Sequence, residues 1–267
     1  GTKLFLLGCK GGDAGALPPG FFAYDFDLYS RDLSSPGPQT LTQLGTLGTT
    51  NFNMALGGTD DLWVVGGAAQ NLAPTAVSER GVALQVTGFV KSMIYRVQGA
   101  GTASTTVTAR DLNNGALSST APIVPVTFAE ALAQPTDVVV YEPAPGTYKV
   151  YFTAFGSDRI GVLSPTSNPD PYTWPLARIA VSPVSSAPNA VAGPRGLALK
   201  YANGGAPARL YVLNRLGNSV SIIDPTNDAL LSAFALNLDP TPSYIREGRK
   251  FLYSATLSGS GFVSCAS

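Results

Sequence analysis

The sequence predicts an all-β protein built of repeated four-stranded antiparallel sheets, a β-propeller or a large part of one. Three observations predict it. The 267 residues include 29 glycines and 21 prolines, and only 13% are charged while 45% are hydrophobic. That is a turn-rich chain with enough apolar residues for a core, a combination typical of all-β folds. Short β-rich runs are separated by Gly, Pro, Asn, Asp and Ser clusters along most of the chain. Finally, two stretches align without a gap at an offset of 60: Lys149 to Thr166 and Arg209 to Thr226. Each is a β-rich run, a polar turn, a second β-rich run and Pro-Thr, so a hairpin is written twice, and repetition of one supersecondary unit is the mark of repeat architectures.

The elements follow in chain order. Leu4 to Leu7, Phe21 to Asp27 and Leu41 to Leu47 read as the later strands of a first unit (1–50). Asn53 to Leu56, Asp61 to Val65, Val90 to Val97 and Thr105 to Ala109 make a second (51–122). Asp137 to Tyr141, Lys149 to Ala154, Arg159 to Leu163 and Leu176 to Val181 make a third (135–183). Gly196 to Lys200, Arg209 to Asn214, Ser219 to Asp224 and Leu230 to Leu236 make the best-formed unit (193–240). Tyr244 to Arg246, Phe251 to Ala255 and Phe262 to Ser264 read as early strands of a last unit (241–267). Phe5, Trp63, Tyr151, Tyr211 and Tyr253 mark one repeated position. Between units, Thr127-Phe128-Ala129-Glu130 has capping-box spacing and predicts a short helix through Ala133, stopped by Pro135. Segments 11–20, 33–40, 100–122 and 183–194 read as loops.

These units form one domain, 1–267, or a portion of one. They amount to about four blades, expected to belong to a larger, seven-bladed ring, since an open array leaves sheet edges exposed and a closed ring removes them. The first and last residues both read as the inside of a domain, so the chain is expected to be part of a longer polypeptide.

Composition excludes several chemistries for these residues. There is no histidine, which removes Ser-His-Asp and Cys-His catalysis and His-ligated metals. Two cysteines cannot build a four-Cys zinc site. Seventeen basic residues balance seventeen acidic ones, which leaves no electrostatic footprint for nucleic acid. No apolar run reaches the roughly 18 residues of a membrane span.

Several candidate sites carry a bland and a functional reading. Cys9 and Cys265 are readable as a disulfide or, preferably, as two unpaired buried thiols. Asp25 and Asp27 share one strand face, a solvated face or a cation pair. Asp60-Asp61 fits a turn. Asp224 to Asp228 has a calcium-loop composition but lacks the Gly and terminal Glu of an EF-hand, so a tight turn is preferred. The double-glycine turns at Gly11, Gly57, Gly66 and Gly204 precede no helix with phosphate-loop spacing. Phe21, Phe22, Tyr24, Phe26, Trp63, Tyr151, Phe152, Tyr211 and Tyr253 are expected inter-blade core. Arg159, Arg195, Arg215 and Arg246 fall near strand ends and could gather on one face to meet an acidic partner.

Two stretches resemble known families. Leu210-Tyr211-Val212, Asn214, Gly217-Asn218-Ser219-Val220 and Ile222-Ile223-Asp224 resemble the YVTN-type (YncE-like) β-propeller repeat over about 18 residues. In Lys149 to Thr166, Ala154 and Ser164 replace its Asn and Asp. This resemblance implies a bacterial or archaeal exported propeller, periplasmic or extracellular. Leu257 to Ser267, which ends Ser264-Cys265-Ala266-Ser267, resembles the lead-in to the Cys-x-x-Cys-His motif of propellers carrying a c-type cytochrome segment. It implies haem c in the full-length protein, with Cys265 as the first attachment thiol and the remaining ligands beyond Ser267. No catalytic or metal-binding residue is assigned within the chain. The expected function is therefore a non-catalytic binding or scaffold subunit with a protein partner, beside redox or membrane-bound electron-transfer machinery. The alternatives are the propeller portion of a c-type cytochrome oxidoreductase and a surface carbohydrate-binding or adhesion module.

Overall fold

Alternation along the strands decides the architecture. In a strand, successive side chains point to opposite faces, so a largely apolar strand buried at every position must be covered on both sides. The run Val150 to Ala154 is such a strand, buried throughout. The run Leu62 to Val65 is another. Both need a sheet on either face.

A computed structural model of the protein describes residues 3–11, 24–34, 41–58, 60–69, 90–102, 104–187, 189–203, 205, 207–237, 239–259 and 261–266. Among the described residues, fifteen strands form four antiparallel sheets in chain order. The first sheet holds β1 (Lys3–Gly11), β2 (Tyr24–Asp32) and β3 (Thr42–Thr46). The second holds β4 (Thr50–Gly57), β5 (Asp61–Ala69), β6 (Val90–Gln98) and β7 (Thr106–Asp111). The third holds β8 (Pro135–Ala144), β9 (Thr147–Ala154), β10 (Arg159–Leu163) and β11 (Leu176–Ala180). The fourth holds β12 (Pro194–Lys200), β13 (Arg209–Asn214), β14 (Ser219–Asp224) and β15 (Ala229–Ala235). Within each sheet, strands pair in sequence order, as in propeller blades.

The blades stack through three cores. Leu28 and Leu44 of the first sheet meet Leu62, Val64, Tyr95 and Val97 of the second. Trp63, Val65 and Ile94, from the other face of the second sheet, meet Val138, Val140, Val150 and Phe152 of the third. Tyr151, Ile160 and Val162 of the third meet Leu210, Val212 and Ile223 of the fourth. Period two is thus read directly: Val150 and Phe152 serve one core, Tyr151 between them serves the next. Each fully buried side chain of this size contributes roughly 1.5–3 kcal/mol. Among the described residues, nothing covers the apolar side chains on the outer faces of the first and fourth sheets. Leu4 and Leu6 are exposed on one, Leu213 and Phe234 on the other.

The innermost strands β4, β8 and β12 lie side by side. Asn53 meets Asp137 and Gly57 meets Val140, while Asp137 meets Leu197 and Val140 meets Tyr201, so all three run the same way. Asp137 pins them together. It accepts from the Asn53 amide and from the Leu197 N–H (2.6 Å).

The repeated hairpin has a structural reason at each motif position. Asn214 is fully buried and donates to Ser219 Oγ (3.1 Å) and Ser221 Oγ (2.8 Å), tying β13 to β14. Asn218 turns the chain with φ of 45°, and Asp158, sixty residues earlier, does the same with φ of 50°. Asn and Asp tolerate this left-handed conformation better than other non-glycine residues.

Two predicted elements differ. Half of the capping box at Thr127 forms, with Glu130 Oε2 accepting from Thr127 N–H (3.4 Å) and Oγ1 (3.1 Å), while Glu130 N–H donates to the Thr127 carbonyl (2.9 Å) and closes a single turn. The next N–H groups are taken by tertiary partners: Leu132 N–H donates to Asn113 Oδ1 (2.8 Å) and Ala133 N–H to Ser157 Oγ (2.9 Å). The second correction is larger. Tyr244–Arg246 and Phe251–Ala255 are not strands; Ser243–Tyr253 is an α-helix, α1. Pro240 and Pro242 cannot donate to a strand ladder. Instead the Pro242 carbonyl accepts from Arg246 N–H (3.1 Å) and opens the helix. Phe262–Ser264 also lies outside any strand. Tyr253 therefore does not occupy the repeated strand position of Trp63, Tyr151 and Tyr211. No helix among the described residues is long and apolar enough to cross a membrane.

Candidate functional site

After β15 the chain crosses the face of the array where the inner strands begin. α1 is held there by Arg249, which donates to Leu216 O (2.7 Å), Thr241 Oγ1 (2.9 Å) and Asp239 Oδ2 (3.3 Å). Tyr253 meets Phe155 edge-on at 5.8 Å. Further on, Phe262 is buried, and Ser264 Oγ lies 3.5 Å from Gln134 Oε1.

Between this crossing segment and the blades lies a cavity of about 420 Å³. Gln134, Phe155, Arg195, Arg215, Arg249 and Tyr253 contribute to its wall, and among the described residues no carboxylate does. The arginines come from three places: the start of β12, the turn between β13 and β14, and α1. Arg195 stacks over the Phe155 ring at 5.7 Å, a cation–π contact. Arg195 and Arg215 have no ion-pair partner among the described residues, and both are exposed. Gln134 sits at φ of 56°, a conformation costly for a residue with a side chain. Its carbonyl accepts from Phe155 N–H (3.1 Å), which holds it there. The arrangement can bind an anion; it has no nucleophile paired with a base.

The structure thus brings together two of the four strand-end arginines. Arg159 instead donates to Ala131 O (3.1 Å) and Ser157 O (3.3 Å). Arg246 lines a separate groove with Leu236 and Glu247. Arg249 was absent from the sequence-based set. Its signal is the spacing of Arg249 and Tyr253, four apart on one helix face, visible only once 243–253 is read as helix.

Cys265 is an exposed, free thiol, so the expectation of a buried thiol fails and no disulfide joins it to Cys9. It precedes Ala266, which lines the cavity. The side chains of Cys9, Asp25 and Asp27, and residues 21–23, lie outside the described residues. The turns preferred for the acidic candidates are present. Asp60 has φ of 63° and its carbonyl accepts from Ala100 N–H (2.9 Å). Asp224 accepts from Thr226 N–H (2.9 Å). Asp228 is occupied by the preceding blade: Lys149 Nζ donates to it at 2.9 Å, and Tyr151 Oη also donates to it. Burial, then that bond, pushes the Tyr151 hydroxyl pKa far above its ordinary value.

A second charged cluster joins the second and third sheets. Arg96 donates through Nε (2.8 Å) and Nη2 (2.6 Å) to Asp61, and Tyr148 Oη donates to the same oxygen at 3.1 Å. The guanidinium lies between Trp63 (5.6 Å) and Trp174 (5.4 Å), whose rings meet edge-on at 5.9 Å. Burial, with a smaller effect of Asp61, raises the Tyr148 hydroxyl pKa to about 12. The cluster is closed by its own partners and reads as a joint between blades.

No protein-family description matches the chain, and no curated protein matches it. Among solved structures, hydrazine synthase of Kuenenia stuttgartiensis aligns over 84% of this chain with a TM-score of 0.49 and 13% identity. A putative 6-phosphogluconolactonase from Bacteroides fragilis aligns over 89% with a TM-score of 0.47 and 12% identity. The chain spans 56% and 55% of those two chains. The assignment to the β-propeller class stands on the sheet order, the inter-blade cores and the parallel inner strands.

Proposed function

We propose that the chain is the β-propeller part of an exported, YVTN-type protein and works as a binding and scaffold unit beside redox machinery. One observation carries this reading: the segment after β15 abandons the blade pattern, lies across the inner-strand face as α1, and presents Cys265 exposed at that face. A propeller is a rigid platform, and a segment fastened across it by Arg249, Tyr253 and Phe262 is held in fixed relation to the blades. Arg195 and Arg215, exposed on the same face without ion-pair partners among the described residues, suit an acidic partner.

A second reading is the propeller portion of a c-type cytochrome oxidoreductase, favoured by the exposed Cys265 thiol within a segment resembling a haem lead-in. Residues 1–267 fit that group only in part. They offer one accessible thiol, but no histidine and no second cysteine near it. These residues alone therefore do not hold a haem, and no step is derived through one.

One experiment separates the two. The native polypeptide is tested for a pyridine haemochrome spectrum, and its Cys265 peptide is weighed for a haem adduct. A haem on Cys265 establishes the cytochrome reading. An unmodified Cys265 with no haemochrome removes it and leaves the haem-free scaffold.

A further inference from the structure

The geometry points to the Arg195–Arg215–Arg249 cavity as a binding site for a small organic anion, a carboxylate or phosphate carried on a flat apolar body. It assigns these arginines to a small molecule rather than to a protein face, and does not rest on the haem reading.

The argument starts from charge. Guanidinium groups bind carboxylate and phosphate oxygens in bidentate fashion, with charge-assisted hydrogen bonds stronger than neutral ones. Elsewhere in this chain, Arg96 is matched by Asp61 and Arg209 by Asp224 (3.8 Å), while the buried Arg110 is held by the carbonyls of Pro171 (2.9 Å) and Trp174 (2.7 Å). Arg195 and Arg215 line a cavity with no carboxylate among the described residues of its wall. Arg249, anchored on Leu216 O, Thr241 Oγ1 and Asp239 Oδ2, fixes the helix side of the wall, and its charge is already shared with Asp239.

Shape gives the rest of the ligand. Phe155 is buried and Tyr253 meets it edge-on, so aromatic surface stands beside the guanidinium groups. Such a wall suits a flat apolar body next to the anionic head. A volume of about 420 Å³ falls within the range of small-molecule pockets. Gln134 has an independent mark: a non-glycine residue kept at φ of 56° at the cavity wall, where such conformations accompany ligand sites.

The test is calorimetric titration of the native polypeptide with phenyl phosphate, benzoate and inorganic phosphate. Both aromatic anions are expected to bind, and inorganic phosphate at least about tenfold more weakly than phenyl phosphate, for want of the wall contact. Arg195→Gln and Arg215→Gln each remove one exposed group without breaking an ion pair. Each is expected to weaken phenyl phosphate by about tenfold, and the double variant by about a hundredfold. Arg246→Gln, in the neighbouring groove, is expected to leave affinity unchanged. Circular dichroism confirms that the variants are folded. No binding by either aromatic anion at about 10 mM, equal affinity for inorganic phosphate, an unaffected double variant, or an equal loss in Arg246→Gln each overturns the assignment. None of these outcomes alters the haemochrome result.

Discussion

Removing the Asp61 carboxylate tests how far the joint between the second and third blades depends on one ion pair. Asp61 and Arg96 side chains are 8% and 15% exposed. With Asp61→Ala, the guanidinium keeps two indole rings but loses its only anionic partner among the described residues, and Tyr148 loses its acceptor. Breaking a buried pair in this way costs about 3–5 kcal/mol. The cation–π contacts offset only about 1–2 kcal/mol of such a charge. Arg96→Met keeps an apolar side chain between the indoles and leaves Asp61 with Tyr148 alone, so it too is expected to cost about 3 kcal/mol. The double variant has neither stranded charge. It is expected to be more stable than the summed single losses by about 2 kcal/mol or more. The assay is urea unfolding followed by circular dichroism, at low and high salt. Because the pair is buried, the coupling should survive salt that would screen a surface pair. A coupling below about 0.5 kcal/mol would refute the reasoning and reduce the cluster to ordinary packing.

Three further expectations follow from other sites. Gly161 pairs with Phe152 across β10 and β9, and a Cβ at Gly161 would fall inside the Phe152 ring; Gly161→Ala is expected to cost about 1–3 kcal/mol in urea unfolding, whereas Gly146→Ala, in open space at φ of 76°, tests backbone strain alone. Cys265 in haem-free protein should react with a thiol reagent within about tenfold of the rate of a free cysteine peptide, and protection beyond that would contradict its exposure. Asp111 is buried, and burial raises its pKa above the ordinary carboxylate value, so its charge disfavours the folded state above that raised pKa and the penalty vanishes below the unfolded value. Asp111→Asn, whose Oδ1 can still accept from Asn113 N–H, should therefore stabilise at pH 7 and have no effect near pH 3, measured by unfolding at both pH values.

The blades were legible in the sequence because local information defines them. The strands of the second, third and fourth sheets fall where alternation and turn residues put them, and the sixty-residue offset carries through to matching left-handed turns at Asp158 and Asn218. What failed was local pattern overruled by tertiary contacts. The Thr127 capping box is half formed, and Asn113 and Ser157 claim the N–H groups that would have extended the helix. Phe251-Leu252-Tyr253 reads as a strand by analogy with Leu210-Tyr211-Val212, yet with Pro240 and Pro242 before it the chain starts a helix. The candidate cavity was half legible: Arg195 and Arg215 were singled out, while Arg249 and Tyr253 depended on that helix. Lys149 and Asp228 lie on different blades, and nothing in one sequence announces a pairing across that separation.

The chain has two tryptophans, and both touch Arg96. Its intrinsic ultraviolet emission therefore originates almost entirely at one joint, between the second and third blades. A cation beside each indole will shift and quench that light, so loosening of this joint will register as a change in colour and intensity. The joint between the third and fourth blades, sealed by Tyr151, Leu210 and Ile223, has no such reporter. In a stack where each blade touches only its neighbours, the ends can open while the middle stays shut. An emission trace from this protein will then describe its centre, and a tryptophan placed at Tyr211 would be needed to hear from its end.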